Sequence, residues 1–238
     1  KFYIRRTLRI FPAYFLVIGI YCLLVKFTEH DIDAVNRFWM NLKYFLTYTT
    51  NIFVPATDNP RTIFYFAWSL STEEQFYLLA PVALVLAIRL IPQLHDKISW
   101  VIFLIFAMAP AIRSLVWSHY VNAGLGTLQT ELSQIYVPIH THYDGLVRGL
   151  FSASLRLIKR QGPKAILVCF SAAVLFIILR KVDRVAFNYS GLALVFGSLV
   201  WLCLVQPEGL IARFFSWPPF KVFSRLSYGI YLWYRFCV

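Results

Sequence analysis

The 238 residues are 59% hydrophobic and 18% aromatic with only 14% charged, more apolar surface than a soluble domain of this size can hide. A net charge of +12 would suit nucleic acid, yet the cations stand in short clusters between apolar runs, such as Arg5, Arg6 and Arg9, or Arg180, Lys181 and Arg184. That is the spacing of membrane anchors and lipid headgroup contacts, so membrane lipids are the expected partner and nucleic acid is not.

In chain order, the apolar runs predict an all-α fold, a polytopic transmembrane helix bundle of about eight spans forming a single membrane domain over residues 1–238. The clearest spans are Ile10 to Phe27, Trp68 to Ile88, Ile98 to Trp117, Ala165 to Leu179, Ser190 to Val205, and a last one starting near Lys221. Two are weaker. Asn41 to Val54 is short and polar, with Lys43 and Asn51, and reads either as a span or as a re-entrant hairpin; Gly145 to Ile158 carries Arg148 and Arg156 and is too polar to face lipid. Cys22, Cys169, Cys203 and Cys237 lie in apolar stretches without metal-ligand spacing and read as buried free thiols. The chain opens on Lys1 rather than Met and stops at Val238 inside an apolar run, so it is expected to be a fragment truncated at both ends.

Basic residues flanking the first span, Lys1, Arg5, Arg6 and Arg9, place that end in the cytoplasm, and Glu29, Asp31 and Asp33 on its other side agree. The later loops conflict: Lys159, Arg160 and Lys164 lie one short span from Arg180, Lys181 and Arg184, so one of these clusters must break the positive-inside rule.

Three constellations carry chemistry. At the first, Arg5 and Arg9 share a helical face at i, i+4 and could grip phosphates with two forked cations; plain anchoring at the membrane surface is the competing reading. The second is the polar tract Ser69-Leu70-Ser71-Thr72-Glu73-Glu74-Gln75, set directly against the apolar run Phe76 to Ile88. That run is too short to span alone, since crossing takes about 20 residues, so the span draws on its polar end and Glu73 falls roughly 6 Å inside the apolar layer. Ser71 with Glu74 fits a capping box. Alternatively the helix already runs from Trp68, which puts Ser69, Glu73 and Tyr77 on one face while Pro81 frees the carbonyl of Tyr77, an arrangement suited to a binding cavity. The third is His140-Thr141-His142-Tyr143-Asp144-Gly145, too small a cluster for a metal site, so no metal is expected and its spacing reads first as a polar membrane-surface loop.

Together, Arg5-Arg6-x-x-Arg9-Ile10-x-Pro12-x-Tyr14, then Trp68-Ser69-Leu70-x-x-Glu73-x-Gln75-Phe76-Tyr77-Leu78-x-x-Pro81, then Asp144-Gly145-Leu146-x-x-Gly149, then Ser227-Tyr228-Gly229-Ile230-Tyr231-Leu232 resemble the acyltransferase-3 family of integral-membrane acyltransferases. The motifs fall in that family's order along nearly the whole chain, and the second is the most specific. The resemblance implies a multi-pass cell-membrane enzyme that moves an acyl group, usually acetyl, from acyl-coenzyme A as co-substrate, with no bound cofactor, to a hydroxyl of a cell-surface glycan, glycolipid or lipid-linked acceptor. By that likeness Arg5, Arg6 and Arg9 bind the donor near the cytoplasmic mouth. Trp68, Ser69, Tyr77, His142 and Asp144 line the transfer cavity, and Glu73 orients the catalytic group or shares its proton.

Two departures stand out. The family's catalytic histidine follows an Arg or Lys by eleven positions, and none of His30, His95, His119, His140 or His142 does, so it is expected upstream of this chain and the segment alone is expected to be inactive. Tyr234 stands where relatives commonly carry His. The competing class is a transporter or flippase with an intramembrane Glu and a Pro-interrupted helix, against which the lack of an inverted repeat weighs.

If Arg5 and Arg9 hold donor phosphates, Arg9→Gln in the complete protein should raise the acetyl-coenzyme A KM by roughly 10- to 150-fold, the worth of one charge-assisted contact, with normal membrane insertion. Arg9→Lys should restore little. An unchanged KM with altered topology would favour plain anchoring.

Overall fold

The computed structural model describes residues 2–54, 62–91, 93–149 and 164–233. Lys1, Arg156, Lys159, Arg160, Tyr234 and Cys237 lie outside the described residues, as does the side chain of Cys169. The described chain is helical, with no strand among the described residues: α1 (Phe2–Phe27), α2 (Ile32–Leu46), α3 (Thr50–Phe53), a 3₁₀ turn (Tyr65–Ala67), α4 (Trp68–Leu90), α5 (Leu94–Asn122), α6 (Leu128–Glu131), a π turn (Leu132–Tyr136), α7 (Ile139–His142), α8 (residues 144–149), α9 (Lys164–Val182), α10 (Arg184–Val205), α11 (Leu210–Phe215) and α12 (Pro218–Trp233).

Among the described residues, three helices are long and apolar enough to cross a membrane: Phe2–Phe27, Lys97–Asn122 and Arg184–Val205. They contain three of the expected spans, and α4 and α9 are helical over two more. The segment Asn41 to Val54 is not one continuous helix. α2 stops at Leu46, where Thr47 turns its hydroxyl back to the Lys43 carbonyl, and Tyr48 takes φ +52° before the short α3 begins. Outward faces of the long helices are apolar, Leu78, Leu79, Val82 and Leu86 on α4 and Leu192, Phe196 and Val200 on α10, as expected where lipid rather than protein covers them.

Two apolar clusters hold the helices together. In the first, Tyr14 of α1 lies flat on Tyr48, with centroids 4.3 Å apart, and donates its hydroxyl to the Phe45 carbonyl at 2.9 Å. Phe64 packs edge-on against Tyr21, Phe45 and Phe66 while holding φ +68°. A left-handed conformation costs a bulky residue about 1 to 2 kcal/mol. Burial of its ring at 2% exposure offsets that, and the turn it makes launches α4 toward α1. The second cluster joins Ile102 and Phe106 of α5 to Val147 of α8, with Phe76 of α4 and Ala193 and Leu194 of α10 packed around them. α4 therefore presents Phe76 to one half of the molecule and the opposite face of its first turns to the other.

α9 and α10 form a hairpin so close that a Cβ on Gly191 would run into the ring of Phe176. Gly191→Ala should therefore cost about 1 to 3 kcal/mol through forced separation of the helices and lower the melting temperature in detergent. Gly19→Ala on α1, where nothing lies within 4 Å of the new Cβ, should be neutral or stabilise by up to about 1 kcal/mol.

Candidate functional site

The amino-terminal turns of α1 and α4 converge with α12 around a cavity of about 880 Å³. Helical periodicity selects its walls. Phe2, Arg5, Arg6, Arg9 and Ile10 form one face of α1, Ser69, Leu70, Glu73, Glu74 and Tyr77 one face of α4, and Ser227, Tyr228 and Tyr231 one face of α12.

At its centre is Arg6. Its Nη2 donates to Glu74 Oε1 at 2.6 Å and to Glu73 Oε1 at 3.3 Å, and its guanidinium carbon stands 3.4 Å from the centre of the Tyr77 ring. Cation–π stacking and two charge-assisted hydrogen bonds thus act on one group. The carboxylates are unequal: the Glu74 side chain is 14% exposed and the Glu73 side chain 41%. Glu74 is committed to Arg6, whereas Glu73 keeps an open side toward the cavity. Arg5 and Arg9 are exposed and have no carboxylate partner among the described residues.

α12 closes the third side with hydroxyls. Tyr231 donates to the Phe66 carbonyl at 2.6 Å and shares a hydrogen bond with Ser69 Oγ, and Tyr228 donates to the Ile10 carbonyl at 3.2 Å. Beneath, Gln75 and Asn51 exchange amide hydrogen bonds of 3.0 and 2.9 Å, and Gln75 also donates to the Tyr48 carbonyl at 2.8 Å. A second recess of about 410 Å³, lined in part by Thr47, Tyr48 and Thr49, lies on the other side of Arg6, Glu74 and Tyr77, which border both spaces. Burial, reinforced by nearby Tyr14, Tyr228 and Glu74, pushes the Tyr48 phenol well above its ordinary range, so it is a neutral wall residue.

Of the residues expected from sequence, Arg5, Arg6, Arg9, Ser69, Glu73 and Tyr77 all meet at the cavity. The other three gather elsewhere. Trp68 turns its ring to Tyr136 and His142. His142 sits among the rings of Trp68, Tyr136 and Tyr189; burial lowers its pKa, Asp144 opposes that and Arg113 adds to it. Asp144 is 1% exposed and accepts from Arg113 Nη2 at 3.0 Å and from Ser190 Oγ at 2.5 Å. The fully buried Arg113 also donates to the carbonyls of Ala186 at 2.8 Å and Thr141 at 2.7 Å and to Ser190 Oγ. This is an internal tie between α5, α7, α8 and α10, satisfied within the protein.

The capping-box reading of Ser71 and Glu74 is corrected. α4 already begins at Trp68, and Ser71 Oγ donates to the Ala67 carbonyl at 3.1 Å from inside the helix. Sequence reasoning also passed over Arg113, although a cation inside an otherwise apolar span is itself a signal. For Ser190, a common residue in a hydrophobic stretch, no comparable signal exists.

Because Glu74 is the buried partner, Glu74→Gln should destabilise the complete protein by about 1 to 3 kcal/mol, leaving Arg6 without its main counter-charge. Glu73→Gln, on the more exposed and longer contact, should cost less than about 1 kcal/mol. Thermal unfolding in detergent checks the order; equal effects would contradict the division of roles between the carboxylates.

Compared with known proteins, 98% of the chain aligns at 26% identity over 255 residues with a protein of Staphylococcus aureus strain COL provisionally named an O-acetyltransferase. The same share aligns at 26% identity over 264 residues with the peptidoglycan O-acetyltransferase OatA of Listeria monocytogenes and at 23% over 258 residues with the O-acetyltransferase OatA of Staphylococcus aureus. The chain spans 39 to 40% of the length of these curated relatives. No family model matches the chain, and no solved structure matches it.

Proposed function

We propose that this chain belongs to a multi-pass membrane O-acyltransferase of the acyltransferase-3 type, with its basic amino-terminal end in the cytoplasm. The reaction moves an acetyl group from acetyl-coenzyme A to a hydroxyl of a cell-surface glycan such as peptidoglycan. The observation that carries this reading is one cavity that collects two uncommitted arginines, Arg5 and Arg9, and a half-open carboxylate, Glu73. Similarity to O-acetyltransferases over nearly the whole chain supports it.

Arg5 and Arg9 suit the phosphates of the donor, because forked cations bind phosphate oxygens bidentately and neither is spent on a carboxylate. Arg6 has a different task. Held by Glu74 and stacked on Tyr77, it fixes the distance between α1 and α4 and so the width of the cavity. With the pyrophosphate at the mouth, the pantetheine arm extends between α4 and α12 past Ser69 and Tyr231. The acceptor hydroxyl loses a proton as its oxygen bonds the thioester carbon; the carbon–sulfur bond then breaks and the departing thiolate takes up a proton. Glu73 has lone pairs free of Arg6 to accept from an imidazole N–H or the hydroxyl, and its role is to orient the base or share its proton. No histidine is among the described walls of the cavity, so the base comes from outside those walls.

In the complete protein, Glu73→Gln should lower kcat by about 10² to 10⁴ with little change in the donor KM, read as coenzyme A release matched to acetylated glycan. Unaltered kcat, or movement of glycan across the membrane without acetylation, would overturn the reading in favour of a transporter.

A further inference from the structure

The tip of the α9 and α10 hairpin holds a recess of about 340 Å³ lined by Phe176, Ile177, Arg180, Lys181 and Arg184, none of which borders the cavity of α1, α4 and α12. Three cations converge on it, and no carboxylate is among its walls. The two acidic groups nearby are already committed. Asp183 caps α10, accepting from the Ala186 amide at 3.0 Å, and takes the Ser114 hydroxyl at 3.0 Å; Glu131 pairs with Arg184 at 2.9 Å. Arg180 and Lys181 are exposed and have no ion-pair partner among the described residues.

Cations in the last turn of α9, Arg180 and Lys181, complement its carbonyl end, but that does not account for the apolar recess they wall together with Arg184. The floor decides the chemistry. Phe176 and Ile177 make it apolar, and below the cations the same face of α9 continues through exposed Phe170, Val174 and Ile177. A ligand suited to both parts has an anionic phosphate at the level of Arg180 and Lys181 and a hydrocarbon chain running down the helix.

We propose that this recess binds the phosphate headgroup of an anionic phospholipid, with an acyl chain laid along α9. The bound phosphate offsets the mutual repulsion of Arg180 and Lys181, the two cations of the recess without an ion-pair partner among the described residues. Since Asp183 ties the hairpin to Ser114 on α5, the residue next to the buried Arg113, the lipid also steadies the internal network that joins α5 to α10. The site is independent of acyl transfer.

The test uses the full-length protein in detergent, with phosphatidylglycerol, phosphatidylcholine and inorganic phosphate as probes, read by native mass spectrometry and by thermal unfolding. Phosphatidylglycerol should be retained and raise the melting temperature, phosphatidylcholine should not, and inorganic phosphate should fail to displace the lipid. Arg180→Gln with Lys181→Gln should weaken phosphatidylglycerol at least about 10-fold, the worth of lost charge-assisted contacts. Arg213→Gln with Lys221→Gln, removing the same charge elsewhere, should leave it unchanged. Equal retention by both double variants, equal loss from both, or displacement by inorganic phosphate would each overturn the proposal.

Discussion

The geometry of the cavity depends on one guanidinium. α1 and α4 are both apolar on their outer faces, and apolar contact alone would let them slide, since lipid is as good a neighbour for Leu as another helix is. Arg6 removes that freedom. It meets Glu74 at 2.6 Å and the Tyr77 ring at 3.4 Å, one helical turn apart on α4, so a shift in register breaks one contact or the other. In a low-dielectric surround a broken contact of this kind is costly, which makes the pairing a specific lock rather than a general attraction.

That lock has a consequence for charge. Three arginines reach the cavity from α1, with Glu73 and Glu74 opposite them. Because Arg6 takes up Glu74 and the nearer oxygen of Glu73, Arg5 and Arg9 remain as net positive charge at the rim. A neutralised cluster would have no use for an anionic donor. The same economy appears in the other half of the molecule, where Arg113 is surrounded by Asp144, Ser190 and two carbonyls and keeps nothing for a ligand. The fully buried Arg113 is a structural tie, whereas Arg5 and Arg9 at the cavity rim and Arg180 at the α9 and α10 tip are exposed with no ion-pair partner among the described residues.

Much of this was legible in the chain. The i, i+4 spacing of Arg5 with Arg9 and of Ser69 with Glu73 and Tyr77 names one face on each helix, and those faces do meet. What spacing cannot show is which arginine meets which carboxylate. Arg6 and Glu74 each stand one residue from the expected pair, and a helix turns about 100° per residue, so the choice rests on how α1 and α4 are rotated, a tertiary property. Asp144 sits with Arg113 rather than among the cavity walls for a similar reason. Its pull toward Arg113 comes from a residue 31 positions away in an apolar helix, and no local pattern links them. The turn at Phe64 was equally hidden, because a phenylalanine with positive φ violates local preference and is held there only by the aromatic packing around it.

If the space between α1, α4 and α12 receives coenzyme A, side chains that line it are shielded when the donor binds. Ser227 lines that space from α12 and is exposed, whereas Ser118 on α5 is exposed outside it. In the full-length protein on a cysteine-free background, the rate at which a thiol reagent labels Ser227→Cys should fall when coenzyme A is added, and Ser118→Cys should label at the same rate with or without it. Labelling of Ser227→Cys that ignores coenzyme A, or equal protection at both positions, would contradict a donor site in this cavity.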